Sequence, residues 1–252
     1  MSEATIVLGP RYAVVLAVLA LLAAVVAGAA RLGVSRAVLV ASLRALVQLG
    51  AVSLLIVLVL RSWGLTAAFV VSMLTVASFT SARRIGRSRR TIWAGAAVAG
   101  GTVPVLALVL LSGTVPLKTV AVVPIAGILI GGAMTATSLA GRRALDTMRT
   151  RYGEVEAALA LGLSDREAVL LMCRPNASEA LLPALDQTRT VGLVTLPGAF
   201  VGVLIGGASP LQAGAAQLLV LVGLLAVETI AVVVTVELIA RRLLPWPSAY
   251  PE

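Results

Sequence analysis

Charged side chains are scarce in this sequence, and two of them, Arg44 and Glu228, interrupt long apolar runs. A charge in apolar surroundings is costly unless it is paired, so these two residues could bind an ionic ligand or each other. Both lie ~10–12 Å from the same end of their predicted helices. We therefore expect Arg44 and Glu228 to approach each other or to face a shared polar cavity, with Gln48 one helical turn from Arg44 on the same face. The alternative is an ion pair that only locks two helices together.

A second polar feature is the stretch 154–175, EVEAALALGLSDREAVLLMCRP, which concentrates charge in an otherwise apolar chain. Its first half consists of strong helix formers, and Gly162 can end a helix in a left-handed conformation. Ser164 and Glu167 have the spacing of a capping box at the start of a second helix. Pro175 should end or bend that helix. The pattern predicts helix, sharp turn, helix, and the alternative is a solvated linker.

Composition indicates which elements position these residues. The chain of 252 residues is 60% hydrophobic and 12% charged, with a mean hydropathy of +1.05, whereas soluble chains are ~25% charged. We therefore predict an all-α polytopic bundle, a single domain over residues 1–252, in the cell membrane. The sequence has no histidine and one cysteine, Cys173, so an internal disulfide is excluded and the commonest metal ligand is missing.

Apolar runs define the predicted membrane helices, each of which needs ~20 residues to span a bilayer core. Seven stretches meet or approach that length: 12–30, 37–60, 65–80, 92–111, 119–140, 191–207 and 211–236. The third and sixth are short and require tilt or burial among neighbours. The first could instead be a signal peptide, because Ala27-Gly28-Ala29 resembles a cleavage site.

The distribution of arginine predicts the orientation of these helices. The basic connections are 31–36, 83–90, 141–190 and 241–242. The opposite connections hold little more than Arg61 and Lys118. The positive-inside rule then places the N-terminus outside, the C-terminus inside and segment 141–190 in the cytoplasm as the only long loop. The net charge of +9 thus reflects topology, and we expect no nucleic-acid partner.

Other chemistry finds less support in the sequence. Met73 and Met134 could be soft metal ligands, but methionine in an apolar helix usually packs, and we predict no metal site. Pro124 and Pro197 leave unpaired carbonyls one turn earlier, which could contact a cargo weakly. An intramembrane metalloprotease or aspartyl protease needs residues that these spans lack. No Gly-rich run leads into Lys-Ser/Thr, so the sequence contains no P-loop for ATP.

Glu156-Ala157-Ala158, followed after three residues by Gly162, resembles the EAA loop of ABC-transporter permeases. Met172 and Pro175 stand where that loop has Ile and Pro, whereas Arg174 replaces its Leu. The resemblance implies a coupling helix, which seats in a groove of a separate ATP-binding subunit and passes that subunit's movement to the bundle. It assigns this contact to Glu156, Ala157, Ala158, Gly162, Ser164 and Asp165.

Longer segments are similar to the Fet-type permeases, an iron-export group of ABC permeases that includes plant aluminium-tolerance proteins. The similar segments are 124–134, 192–198 and 206–210, together with Arg44 and 47–49. The likeness extends over about residues 36–242. The sequence departs from the family pattern at Gly132, where the family has Asn, at 199–203, and at Ala216 before Gln217. These departures leave the cargo open between an iron-like metal ion and a small polar solute.

The resemblance implies the permease subunit of an ABC exporter, a homodimer among membrane lipids. Such a subunit has no catalytic residue or cofactor of its own, and a separate ATPase binds ATP and magnesium. We assign the translocation path to Arg44, Gln48, Pro124, Met134, Pro197, Gln217 and Glu228. The alternative is a stand-alone secondary transporter or channel, although a lone carrier has no reason to present an EAA-like helix pair to the cytoplasm.

Overall fold

The computed structural model describes residues 9–86 and 88–244; Arg87 of the basic connection 83–90 lies outside the described residues. The α-helices are α1 Pro10–Ala29, α2 Ser35–Val59, α3 Trp63–Ile85, α4 Ala94–Leu111, α5 Thr119–Thr150, α6 Tyr152–Ala160, α7 Asp165–Ala177, α8 Leu182–Thr190, α9 Gly198–Ile205 and α10 Pro210–Ala240. A short 3-10 helix precedes α4 at Arg89–Trp93, and another precedes α8 at Ser178–Leu181.

Within residues 9–86 and 88–244, six helical segments are long and apolar enough to cross a membrane: α1, α2, α3, α4 with its preceding 3-10 turn, α5 and α10. They contain between 20 and 32 residues, and ~20 are needed for a hydrocarbon core of ~30 Å. Each overlaps one of the predicted spans. The part of the chain that the structure describes contains no β-strand beyond one isolated bridge. The prediction of an all-α polytopic membrane protein is therefore confirmed.

The predicted span 191–207 does not form one continuous helix. Only α9 is helical there, and its 8 residues measure ~12 Å at 1.5 Å per residue. α8 ends at Thr190, after which Val191 is extended and Gly192 takes a φ of +81°. Pro197 is also extended, as the N-cap of α9. Hydropathy marks the whole run as apolar but does not register these breaks, so seven uninterrupted helices are not confirmed.

The chain divides into two compact units, Met1–Arg61 and Ser62–Glu252. The first unit contains α1 and α2, which pack against each other, and its buried helical residues are Ala24 and Ala27. In the second unit, α5 and α10 pack against each other, and both contact α4 and α7. The single permease domain over residues 1–252 stays a prediction.

Glycines allow the helices of the second unit to approach closely. A Cβ on Gly101 of α4 would lie 2.6 Å from the carbonyl oxygen of Val227 in α10. A Cβ on Gly141 of α5 would lie 2.7 Å from the side chain of Ile85 in α3. A Cβ atom does not pack at such distances. The backbones of α4 and α10 are therefore nearly in contact at Gly101, and Ile85 fills the space beside Gly141, as small residues permit in membrane bundles.

The close contact between α4 and α10 predicts a position-specific effect of alanine. Gly101→Ala is expected to lower the stability of the protein by ~1–3 kcal/mol, because the new methyl group must displace the α10 backbone. Gly100→Ala is the matched control, since its Cβ would meet only Val234 at 3.9 Å and alanine favours the helix. Thermal unfolding of the two purified variants measures the difference. Equal midpoints would contradict the contact.

α5 and α10 run in the same direction through the second unit. A Cβ on Gly223 of α10 would lie 3.6 Å from Leu129 of α5, and a Cβ on Gly132 of α5 would lie 2.9 Å from Oε1 of Glu228 in α10. Residue numbers therefore rise together along the two helices, and both helices end at the same end of the bundle.

α7 lies at that end, where it meets both helices. Asn176 donates to Thr147 near the end of α5, and Arg166 donates to Glu237 near the end of α10. The chain must therefore return to the opposite end of the bundle between α7 and the start of α10. α8, the non-helical segment 191–197, which contains a tight turn at 192–194, and α9 make that return.

Candidate functional site

The predicted helix–turn–helix forms around Gly162. α6 ends at Ala160, and the N–H groups of Gly162 and Leu163 donate to the carbonyls of Leu159 and Ala158 at 2.9 and 3.1 Å. These two bonds form a Schellman motif, which requires a left-handed residue after the helix. Gly162 provides it with a φ of +91°.

The capping box at the start of α7 is confirmed. The Glu167 backbone N–H donates to Ser164 Oγ at 3.3 Å, and the Ser164 backbone N–H donates to Glu167 Oε2 at 2.9 Å. Hydrogen bonds from the Ser164 hydroxyl and N–H hold the pKa of Glu167 below its ordinary value. Pro175 was expected to end or bend the helix, and α7 continues two residues past it, to Ala177. The proline falls in the last turn, where its missing N–H interrupts a single bond before the 3-10 helix begins.

We call residues 152–177, which comprise α6, the turn and α7, the elbow. Its two helices share a small core of Val155, Ala158 and Ala168, with Leu159, Leu163 and Met172 packed around it. Ala158, which the resemblance assigns to ATPase contact, is therefore part of the internal packing of the elbow. Its small side chain allows α6 and α7 to approach closely, so the elbow is a stiff element.

The outer surface of the elbow carries the other predicted contact residues. Glu156, Ala157, Gly162 and Ser164 are exposed, whereas Asp165 is half-buried. Leu161, at the tip, is 83% exposed. Beside it a shallow cleft of about 330 Å³ is lined by Leu163, Arg166, Glu167, Leu170, Leu171 and Arg174. This surface mixes apolar and charged groups, as the docking surface for another protein does.

Two hydrogen bonds join the inner face of α7 to α5. The Cys173 thiol donates to the carbonyl of Ala144 at 3.6 Å, and Asn176 Nδ2 donates to Thr147 Oγ1 at 2.8 Å. Cys173 is fully buried, and burial raises the pKa of its thiol to about 11. The thiol is therefore neutral near pH 7 and keeps its proton for the bond to Ala144.

Ion pairs join the N-terminal turn of α7 to the end of α10. Arg166 Nε and Nη2 donate to the two carboxylate oxygens of Glu237 at 2.7 and 3.0 Å. Arg241 donates to Glu237 at 2.6 Å, and Arg242 pairs with Asp165 at 2.7 Å. The spacing of Glu237 and Arg241, one helical turn apart, is typical of an ion pair within one helix. The sequence gives no such signal for Arg166, because its partner lies 71 positions away.

Two residues of the predicted translocation path are buried on α10. Glu228 is 7% exposed and its carboxylate lies against Gly132, where a Cβ would also meet Leu224. Among the described residues of its own unit, Glu228 has no hydrogen-bond or ion-pair partner. Gln217 is 5% exposed, and its Oε1 accepts no hydrogen bond. Both positions hold polar groups whose hydrogen-bonding capacity is unfilled.

The remaining path residues occupy varied surroundings. Met134 packs against the apolar core, which agrees with the packing interpretation of methionine. Pro124 is exposed within α5, and Pro197 caps α9. Arg44 and Gln48 are exposed on α2, in the first unit. The pairing of Arg44 with Glu228 stays a prediction.

Known proteins similar to this chain include membrane proteins of plants and bacteria. A family model described as "Uncharacterised protein family (UPF0014)" matches residues 12–244. The UPF0014 membrane protein STAR2 of Oryza sativa subsp. japonica is 32% identical over 227 residues, which cover 87% of this chain and 76% of that protein. Protein ALUMINUM SENSITIVE 3 of Arabidopsis thaliana is 35% identical over 71% of this chain and 63% of its own length. The probable iron export permease protein FetB of Escherichia coli (strain K12) is 31% identical over 54% of this chain and 53% of its own length. No solved structure matches the chain significantly.

Proposed function

This chain belongs to the UPF0014 family of membrane proteins, and from that membership we propose that it is the membrane-spanning permease subunit of an ABC exporter. The observation that supports this role best is the elbow. It is capped at its turn, packed internally and bonded to the ends of both α5 and α10. A hydrolysing partner needs a stiff element of this kind to move membrane helices.

The proposed cargo is a metal ion of the iron type or a small polar solute. One relative is named a probable iron export permease. The buried Glu228 and Gln217 of α10 could replace part of a cargo's hydration shell within the bundle. Since one chain supplies one membrane half and a transport path lies between two, we propose a homodimer that binds two ATPase subunits.

We also propose that the chain crosses the membrane seven times, with the N-terminus outside and the elbow in the cytoplasm. α5 and α10 are parallel, so the return through α8, 191–197 and α9 serves as a discontinuous crossing. Interrupted membrane helices are tolerated where the freed backbone lies in protein or lines a cavity. Arg90 donates to the carbonyl of Arg242 at 3.4 Å. The basic α3–α4 connection therefore lies at the same end as the elbow, as the positive-inside rule requires.

Co-purification with an ATPase tests the proposed function. We expect the tagged permease, co-expressed with each ABC ATPase of the same genome, to retain one of them through detergent extraction. In lipid nanodiscs, ATP hydrolysis by that complex should rise when iron or another candidate cation is added. A permease that retains no ATPase and moves ions alone in liposomes would instead identify a secondary transporter or channel.

A further inference from the structure

The helix α10 is suited to carry movement through the bundle because it is long and uninterrupted. It has 31 residues, and its only proline is at the first position, so it extends ~46 Å at 1.5 Å per residue. By contrast, Pro104 lies inside α4 and Pro124 lies inside α5, and the return segment is broken at 191–197. Displacement of one end of α10 is therefore passed to the other with the least loss to bending.

Glu237 is the point at which the elbow holds this helix. Its carboxylate accepts hydrogen bonds from Nε and Nη2 of Arg166, and its side chain is 25% exposed. A bidentate arginine–carboxylate pair fixes orientation as well as distance, which a lysine or a single hydrogen bond does not. The pair Asp165–Arg242 lies beside it. An exposed ion pair typically makes a small but measurable contribution to stability, so the main value of this arrangement lies in its directional hold.

The Arg166–Glu237 pair, which we call the clasp, connects the elbow to the buried part of α10. Glu237 lies ~14 Å along the helix from Glu228 at 1.5 Å per residue. At that depth, α10 contacts α5 at Gly132 and α4 at Gly101. These contacts leave no space for a Cβ, so a shift of α10 must change its packing on both neighbours.

We propose that the Arg166–Glu237 pair is the contact through which the elbow drives α10, which makes both of them positioning residues for transport. This inference rests on the proposed function. Arg241 binds the same carboxylate but belongs to the end of α10 itself, so it cannot pass movement between elements. The two arginines therefore differ in their expected effect, although both pair with Glu237.

The test measures movement at the far end of α10 in the assembled permease–ATPase complex. A fluorophore is attached to Leu211→Cys, because Leu211 is 84% exposed near the start of α10 and the native Cys173 is buried. Addition of ATP and magnesium should change its emission in the otherwise unaltered complex. We expect Arg166→Ala and Glu237→Gln to reduce that change roughly five-fold or more, with the ATPase still retained. Arg241→Ala should preserve it, and the exchanged pair Arg166→Glu/Glu237→Arg should restore part of it.

A second measurement uses the permease alone. Thermal unfolding of Arg166→Ala, Glu237→Gln and the double variant should show non-additive shifts, because the two side chains bond each other. Additive shifts would overturn the proposed Arg166–Glu237 contact, and this result would not depend on any ATPase. An Arg166→Ala complex that keeps its ATPase and its full fluorescence change would overturn the inference alone. Failure of the unaltered permease to retain an ATPase would overturn the proposed function, and the inference with it.

Discussion

Replacing Gly162 with valine should reduce cargo-stimulated ATP hydrolysis by roughly ten-fold or more, the equivalent of at least ~1.4 kcal/mol. Gly162 has a φ of +91°, a conformation that costs an ordinary L residue ~1–2 kcal/mol and a β-branched residue more. With valine at position 162, the backbone would avoid that cost by moving out of the left-handed region. The Schellman bonds to Leu159 and Ala158 would then be lost, and the end of α6 would fray. Leu161 would no longer be presented at a fixed angle to the ATPase.

Gly153→Val provides the matched control for this substitution. Gly153 lies in α6 with nothing within 4 Å of its would-be Cβ, and the same is true of Gly162. The two glycines differ in backbone conformation, since only Gly162 has a positive φ. Hydrogen exchange should therefore increase across residues 158–165 in Gly162→Val and stay unchanged there in Gly153→Val. A Gly162→Val permease with native exchange and native coupling would show that the rigid turn is unnecessary.

The elbow was predictable because its signals are local. Gly162, Ser164 and Glu167 act on backbone groups within five residues of themselves, so their spacing alone specifies the turn and the cap. The long apolar helices were equally predictable from the sequence, because a helix that spans a bilayer must be apolar and ~20 residues long. The same criterion was misleading at 191–207, where the structure has no single continuous helix. Hydropathy does not distinguish a continuous helix from two short ones separated by Gly192 and Pro197.

The contacts between distant elements were not predictable from the sequence. Arg166 and Asp165 were identified as residues of a cytoplasmic loop, but their partners Glu237 and Arg242 depend on where α10 ends in space. The close approach at Gly132 depends likewise on the parallel packing of α5 and α10. A single sequence shows the periodicity within each helix, but it does not show which helices pack against one another.

Glu228→Gln should leave the permease at least as stable as the unaltered protein and should reduce cargo-stimulated ATP hydrolysis roughly ten-fold or more. Glu228 is 7% exposed, and the described residues of its own unit offer it no partner. An unpaired charge in apolar surroundings costs several kcal/mol, ~3 kcal/mol at a helix centre on insertion scales. Glutamine keeps the shape and removes the charge. It therefore spares that cost, but it cannot release a proton and offers a cation only a neutral carbonyl oxygen in place of a carboxylate.

Two further variants separate a transport role of Glu228 from a structural one. Thr229→Val is the control on the exposed side of the same helix, because the Thr229 hydroxyl bonds only the Leu225 carbonyl of its own helix, at 2.7 Å. This variant should change neither stability nor hydrolysis. If Glu228 instead forms a buried ion pair with Arg44, then Glu228→Gln should lose ~3–5 kcal/mol, because the guanidinium is left uncompensated. Adding Arg44→Gln would then restore the stability. Thermal unfolding of the single and double variants, beside their cargo-stimulated hydrolysis, decides between the two roles, since only a transport residue loses activity while its fold stays intact.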